Sequence, residues 1–222
     1  PLTQIAVSPS GHYVAGIGPG GGLYTASLVK SAMLALRAGG PFTSLSWDTH
    51  DNLWAVGNGQ VWLVPASSGA PIQVNTMLAP GQRVTALKVA PDGVRCAMLV
   101  TGNGVSQLML AAIVHSGSQA SIGKPVPISS QSGHFIALTW YDADHVIVLS
   151  RPSGNPVLDE VAINGETLVP VPAQDGTVSI TADGPSNPLV AGLADGQMAT
   201  LASLGGLWSG VVGAGRAPAY PG

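Results

Sequence analysis

The chain has 222 residues and a formal net charge of −3, with 45% hydrophobic but only 9% charged residues. With no basic run, nucleic acid and anionic membrane surfaces are poor partners, since both need clustered Lys and Arg. The hydrophobic content argues against disorder, the single cysteine, Cys96, excludes an internal disulfide, and no apolar run reaches the roughly 18 residues of a spanning helix.

Taken in order, the residues repeat one phrase: an apolar strand, a polar turn and a second apolar strand. Ile5-Ala6-Val7 leads through Ser8-Pro9-Ser10-Gly11 into residues 12–17. Leu45-Ser46-Trp47-Asp48 turns through His50-Asp51-Asn52 into residues 53–56. Leu87-Lys88-Val89-Ala90 turns through Pro91-Asp92-Gly93 into residues 94–99, where Pro pre-sets φ, Asp bonds the backbone beyond it and Gly tolerates positive φ. Leu138-Thr139-Trp140 turns through Asp142-Ala143-Asp144 into residues 145–149, and residues 178–184 lead into 188–193. The anchors Ile5, Leu45, Leu87, Leu138 and Val178 lie 40, 42, 51 and 40 residues apart, the period of propeller blades of four strands.

Each unit supplies two more strand-like runs. They fall at 60–64 and 72–75 in the second unit and at 106–113 and 125–128 in the third, with a polar loop insertion at 114–123. In the fourth they are 156–163 and 166–171, joined by Asn164-Gly165, a strong hairpin signal. The fifth has 197–201 and 207–212, while residues 31–37 of the first fit a strand or a helical turn equally. The fold expected is an all-β propeller of five four-stranded blades over 1–222, at about 2–40, 41–82, 83–133, 134–174 and 175–222. Trp47 and Trp140 should hold equivalent positions, packed between blades, and Cys96 should be a buried, inert thiol. The chain opens on Pro1 directly into a strand pattern, as a piece of a longer protein would.

Chemistry-bearing motifs are sparse. Residues 16–21 fit G-x-G-x-x-G, but Leu23-Tyr24-Thr25 continues as strand, whereas a dinucleotide site needs a helix there. Asp142-Ala143-Asp144 begins like a calcium loop without its closing Glu, so it reads as a polar turn. His50, His115 and His134 fall in loops, and no two histidines share a ligand spacing, so no metal or other cofactor is expected. Asp159 and Glu160 are neighbours on a strand and face opposite ways. The innermost strands, read as 2–7, 43–47, 84–89, 135–140 and 176–180, hold no carboxylate and one charge, Lys88. A glycosidase needs two carboxyls across the scissile bond, so catalysis ranks third. A ligand-sensing module for a cell-wall sugar or peptide ranks second, and a non-enzymatic interaction domain first.

The phrases Ala6-Val7-Ser8-Pro9 and Leu45-Ser46-Trp47-Asp48, the third-unit turn phrase and the ending Gly215-Arg216-Ala217-Pro218-Ala219-Tyr220-Pro221-Gly222 together resemble the C-terminal propeller of LpqB-type lipoproteins of actinobacteria. The resemblance covers essentially the whole chain. It implies a parent anchored to the membrane only through an N-terminal lipid, which this chain lacks, and an extracytoplasmic site. It also implies a role in cell-envelope homeostasis, beside the extracellular region of the sensor kinase of the MtrA–MtrB two-component system. It carries over no catalytic residue.

In a propeller, the loops entering each innermost strand and those joining the second and third strands share one face. Gln82, Arg83, Gln131, His134 and Asp175 belong to the first set. Residues 18–22, Asn58, Asn103, Arg151, Asn155 and Asp195 belong to the second. Gln82, Arg83, Gln131, His134, Arg151, Asn155 and Asp175 are the candidate partner-binding residues, with Arg83 and Arg151 as anchors because Arg is enriched at binding hot spots.

Overall fold

The turns that follow the first four innermost strands are closed by a glycine at positive φ or by an aspartate side chain, and the turn that follows the fifth lies outside the described residues. In the computed structural model, which describes residues 2–30, 33–65, 70–116, 119–167, 171–173, 175–182, 189–204 and 207–216, the amide of Gly11 bonds the Ser8 carbonyl and that of Gly93 bonds the Ala90 carbonyl, both at 2.9 Å. Both glycines sit at φ +73°, where a side chain would be strained. The second turn manages without glycine: Asp51 takes φ +58°, its amide bonds the Asp48 carbonyl, and Asp48 accepts the amides of His50 and Asn52. In the fourth, the Asp142 carboxylate accepts the amides of Asp144 and His145, both at 2.7 Å. The polar turn expected there is formed.

Each turn joins the first two strands of an antiparallel meander. The first sheet is β1 (Gln4–Val7), β2 (Tyr13–Ile17), β3 (Leu23–Ser27) and β4 (Ala35–Ala38), and the second is β5 (Phe42–Trp47), β6 (Asn52–Gly57), β7 (Gln60–Pro65) and β8 (Ile72–Val74). The third runs β9 (Arg83–Val89), β10 (Arg95–Gly102), β11 (Val105–Ser116) and β12 (Gln119–Ile122), with β13 (Val126–Gly133) paired to β11. The fourth is β14 (Phe135–Trp140), β15 (His145–Ser150), β16 (Val157–Ala162) and β17 (Val171–Pro172). The fifth is β18 (Thr177–Thr181), β19 (Leu189–Leu193), β20 (Gln197–Leu204) and β21 (Leu207–Arg216). One open reading is settled and one expectation changes. Residues 35–38, which fit a strand or a helical turn equally, form an edge strand on β3. The stretch read as a polar insertion is instead a hairpin: β11 keeps alternating buried Met109, Ala111 and Ile113 with more open neighbours and pairs Ile113 with Ile122 of β12.

The described chain forms two compact units. The first carries β1 to β12; the second carries β14 to β21 with most of β13 and residues 105–107 of β11. Inside the first, β6 is buried on both faces: Leu53 and Ala55 pack with Ala15, Leu23 and Leu45, while Trp54 and Val56 pack with Leu87, Met98 and Val100. A strand covered on both sides reads as a continuous apolar run, which is why residues 53–56 show no polar alternation. In the second unit Ile147, Leu149 and Leu158 pack with Ile180 and Leu189.

Cys96 lies fully buried in the cluster between the second and third sheets, and burial pushes its thiol up to about 12. A thiol so protonated and enclosed is a poor nucleophile. A disulfide reagent is therefore expected to leave the native chain unlabelled on the timescale that labels the urea-unfolded chain completely. Rapid native labelling would overturn this placement.

Candidate interaction face

Within the first unit the loops at one edge of the three sheets interlock. A side chain at Gly21 would meet the Pro41 Cα at 2.5 Å, so the 18–22 loop rests on the segment entering β5. Gly40 lies beside the Asn58 amide. The Arg83 stem lies over Gly59, and the Val84 amide bonds the Gly59 carbonyl at 3.0 Å. Gln82 in turn covers Gly102, next to exposed Asn103. The β2–β3, β6–β7 and β10–β11 turns thus sit beside the loops entering β5 and β9.

The second unit repeats the arrangement. The Arg151 amide bonds the His134 carbonyl at 3.1 Å, its guanidinium donates to the Thr177 carbonyl at 2.7 Å, and the Ala194 amide bonds the Gly176 carbonyl at 2.8 Å. His134, Asn155, Asp175 and Asp195 are exposed along this edge.

The seven candidate residues divide by what holds them. Arg83, His134, Asn155 and Asp175 are exposed. Gln82 is half-buried and closes its own loop, its side-chain oxygen accepting the Ala79 amide at 3.1 Å. Arg151 is half-buried and turned toward β18, where it ties two sheets together. Gln131 lies in β13.

Sequence reading passed over a pocket of about 200 Å³ at the same edge of the first unit. Its walls include Gly40, Pro41, Phe42, Asn58, Trp62 and Pro71. Gly57 underlies it, because any side chain there would strike the Phe42 ring at 2.8 Å, and the Trp62 indole donates to the Gly57 carbonyl at 3.3 Å. The signal available was the half-exposed tryptophan on a third strand opposite a Gly-Gly-Pro entry. Only Asn58 of this set stood out in the sequence.

Several polar side chains of the innermost strands bond the backbone of the neighbouring sheet, although the buried Gln4 side-chain oxygen on β1 has no partner. Ser44 Oγ donates to the Leu87 carbonyl, Ser46 Oγ accepts the Val89 amide, Thr43 Oγ1 donates to the Thr85 carbonyl, and Lys88 Nζ donates to the Leu45 carbonyl at 2.7 Å. In the second unit Thr139 Oγ1 accepts the Ala182 amide. Asp159 is buried on β16, accepts the Ser150 hydroxyl at 3.1 Å, and has its carboxyl raised by burial, with the Ser150 bond working the other way. Its neighbour Glu160 is also buried, on the opposite face of the strand.

Successive four-stranded meanders, tied to their neighbours through innermost strands within each unit, define an all-β, five-bladed β-propeller domain. The chain belongs to the Lipoprotein LpqB β-propeller domain family, whose sequence profile matches residues 1–221. It is 30% identical over 243 residues to Lipoprotein LpqB of Streptomyces coelicolor and 29% identical over 247 residues to that of Streptomyces avermitilis. Both alignments take in 100% of this chain and 39% of the relative, so the chain spans about two fifths of the length of these curated relatives. Their name implies a membrane-anchored lipoprotein, and no helix among the described residues is long and apolar enough to cross a membrane. Among solved structures, the β-propeller domain of Cps50 (Swd1) from Myceliophteria thermophila aligns with a TM-score of 0.62 at 16% identity, over 92% of this chain and 66% of that one. PorZ, a surface component of the type-IX secretion system of Porphyromonas gingivalis, aligns at 0.61 and 18% identity, over 100% of this chain and 27% of that one. At these identities the likeness is one of fold.

Proposed function

We propose that this domain is a non-enzymatic, extracytoplasmic interaction module of a membrane-anchored lipoprotein, and that it modulates a two-component sensor kinase of the MtrA–MtrB kind. The single observation that carries the reading is the loop edge of the first unit, where the stem of exposed Arg83 lies over Gly59 of the β6–β7 turn and Asn58 of the same turn lines a pocket walled by Phe42 and Trp62. A guanidinium beside a small aromatic pocket is the composition of a protein-binding hot spot. The Thr43, Ser44, Ser46 and Thr139 hydroxyls of the innermost strands are committed to bonds with the neighbouring sheet, which supports a structural role for these four groups.

The test is binding of the kinase's extracellular region to the 222-residue chain. Arg83→Ala is expected to weaken it about thirtyfold, the loss of about 2 kcal/mol at an arginine hot spot. Arg151→Ala should instead act on stability, since its guanidinium already holds Thr177. Unchanged binding by Arg83→Ala and Trp62→Ala, together with loss on substituting the β11–β12 hairpin, would move the site to the opposite edge. A ligand-sensing reading has one observation in its favour: Trp62 offers an indole on which a sugar ring can stack. Calorimetry with cell-wall fragments separates the two, because only that reading expects heat from a fragment alone.

A further inference from the structure

We infer that Asp48, His50 and His115, at the opposite edge of the first unit from the interaction face, form a binding site for a late first-row divalent cation, of which Zn²⁺ is the representative. The two histidines are 65 positions apart, and each reaches the site for a separate local reason. Asp48 follows β5 and is 1% exposed. One carboxylate oxygen accepts the amides of His50 and Asn52 at 2.8 and 2.9 Å; the other accepts the Trp54 indole N–H at 3.0 Å and the Asn52 side-chain amide at 3.1 Å. That clasp fixes the turn on which His50 stands. His115 arrives because β11 runs on as a hairpin with β12, so the strand ends over the same turn.

The rings of His50 and His115 lie 5.3 Å apart, tilted by 51°, and His115 sets its edge against buried Trp54 at 6.5 Å. One ligand-capable atom from each of the three residues lies within 4.8 Å of the other two. A zinc ion with bonds of about 2.0–2.2 Å holds its ligand atoms roughly 3.3–4.2 Å apart. Both imidazoles are exposed, and rotation about their side-chain bonds closes the remaining fraction of an ångström.

The carboxylate enters by exchanging its contact with the half-buried Asn52 side-chain amide, which turns to water. The Trp54 indole stays as the outer partner that orients the ligand oxygen. Two imidazoles and one carboxylate form a borderline donor set that selects Zn²⁺, Co²⁺, Ni²⁺ or Cu²⁺ over Mg²⁺ and Ca²⁺, whose sites are built of oxygen. Three protein ligands leave the fourth tetrahedral position to water.

The experiment is titration of the chelator-treated 222-residue chain with Zn²⁺ by calorimetry and with Co²⁺ by visible absorption. One Zn²⁺ per chain is expected with a dissociation constant of about 10 µM or tighter, a Co²⁺ spectrum of low coordination number, and no uptake of Mg²⁺ or Ca²⁺. His50→Ala and His115→Ala should each weaken binding at least tenfold while their metal-free urea transitions match the parent's; both side chains are exposed, so neither change unfolds the chain. Asn52→Ala should bind as tightly as the parent or more so, and His134→Ala should have no effect. Cu²⁺ should quench the fluorescence contributed by Trp54, read as the difference from Trp54→Phe. Failure of the parent to bind one equivalent, or binding that survives the His50→Ala/His115→Ala double substitution, overturns the assignment.

Discussion

Trp47→Ala is expected to lower the unfolding free energy of the chain by about 3–5 kcal/mol, the cost of truncating a large aromatic in a core. Trp47 ends β5 and is 8% exposed, in a cluster with Leu45, Leu53 and Ala55 of its own sheet and Ala15, Ile17 and Leu23 of the first. Its ring stacks on Tyr13 at 6.2 Å and 27°, and its indole N–H donates to the Ala6 carbonyl of β1 at 3.0 Å. Alanine removes the ring, the stack and the bond together. Phenylalanine keeps most of the apolar contact and loses the donor, so Trp47→Phe should cost nearer the 0.5–1.5 kcal/mol of one net hydrogen bond. Urea unfolding followed by circular dichroism separates the two variants. A Trp47→Ala midpoint equal to the parent's would mean that this residue does not join the first two sheets.

The same residue explains why so much of the fold was legible. Leu45-Ser46-Trp47 and Leu138-Thr139-Trp140 match because they do the same job: both tryptophans end innermost strands and both are buried. The turns after them use an aspartate side chain, Asp48 or Asp142, to satisfy backbone amides, and the turns after β1 and β9 use a glycine at positive φ instead. Local reasons of this kind were also enough to assign loops to edges, since an up-and-down meander alternates its turns. Residues 35–38 were not legible, because Ala and Leu suit helix and strand alike and β4 lies at a sheet edge with half of it exposed. Side-chain direction was not legible either. Arg83 and Arg151, from different sets of loops, were assigned alike to one face as anchors, yet Arg151 reaches a carbonyl on the next innermost strand while Arg83 is exposed. The Phe42–Trp62 pocket and the His50–His115 pair draw on segments far apart in sequence, so spacing carries no trace of them.

Lys88 provides the test of how the innermost strands tolerate charge. Burial pushes its ammonium down from 10.5 to about 8. Below about pH 8 folded and unfolded chains both carry the proton, and the burial penalty is present in full. Between about 8 and 10.5 the unfolded chain still holds a proton that the folded chain has released, so stability rises with pH. At about 1.4 kcal/mol per unit the rise totals at most about 3 kcal/mol. It is an upper limit because the Leu45 carbonyl supports the charged form and part of the side chain meets solvent. Cys96 works in the other direction: with its thiol pushed from 9.0 to about 12, the folded chain keeps a proton that the unfolded chain loses above 9, and stability falls there. Of these two groups, only Lys88 acts between about pH 8 and 9. Lys88→Met removes the buried charge but also the bond to Leu45, so the two changes largely offset at pH 7. Urea midpoints at pH 7, 8 and 9 should rise across the last interval in the parent, by up to about 1 kcal/mol in free energy, and stay level in Lys88→Met. If the variant rises in parallel with the parent, another group sets the profile and the Lys88 ammonium is better solvated than its contact with β5 implies.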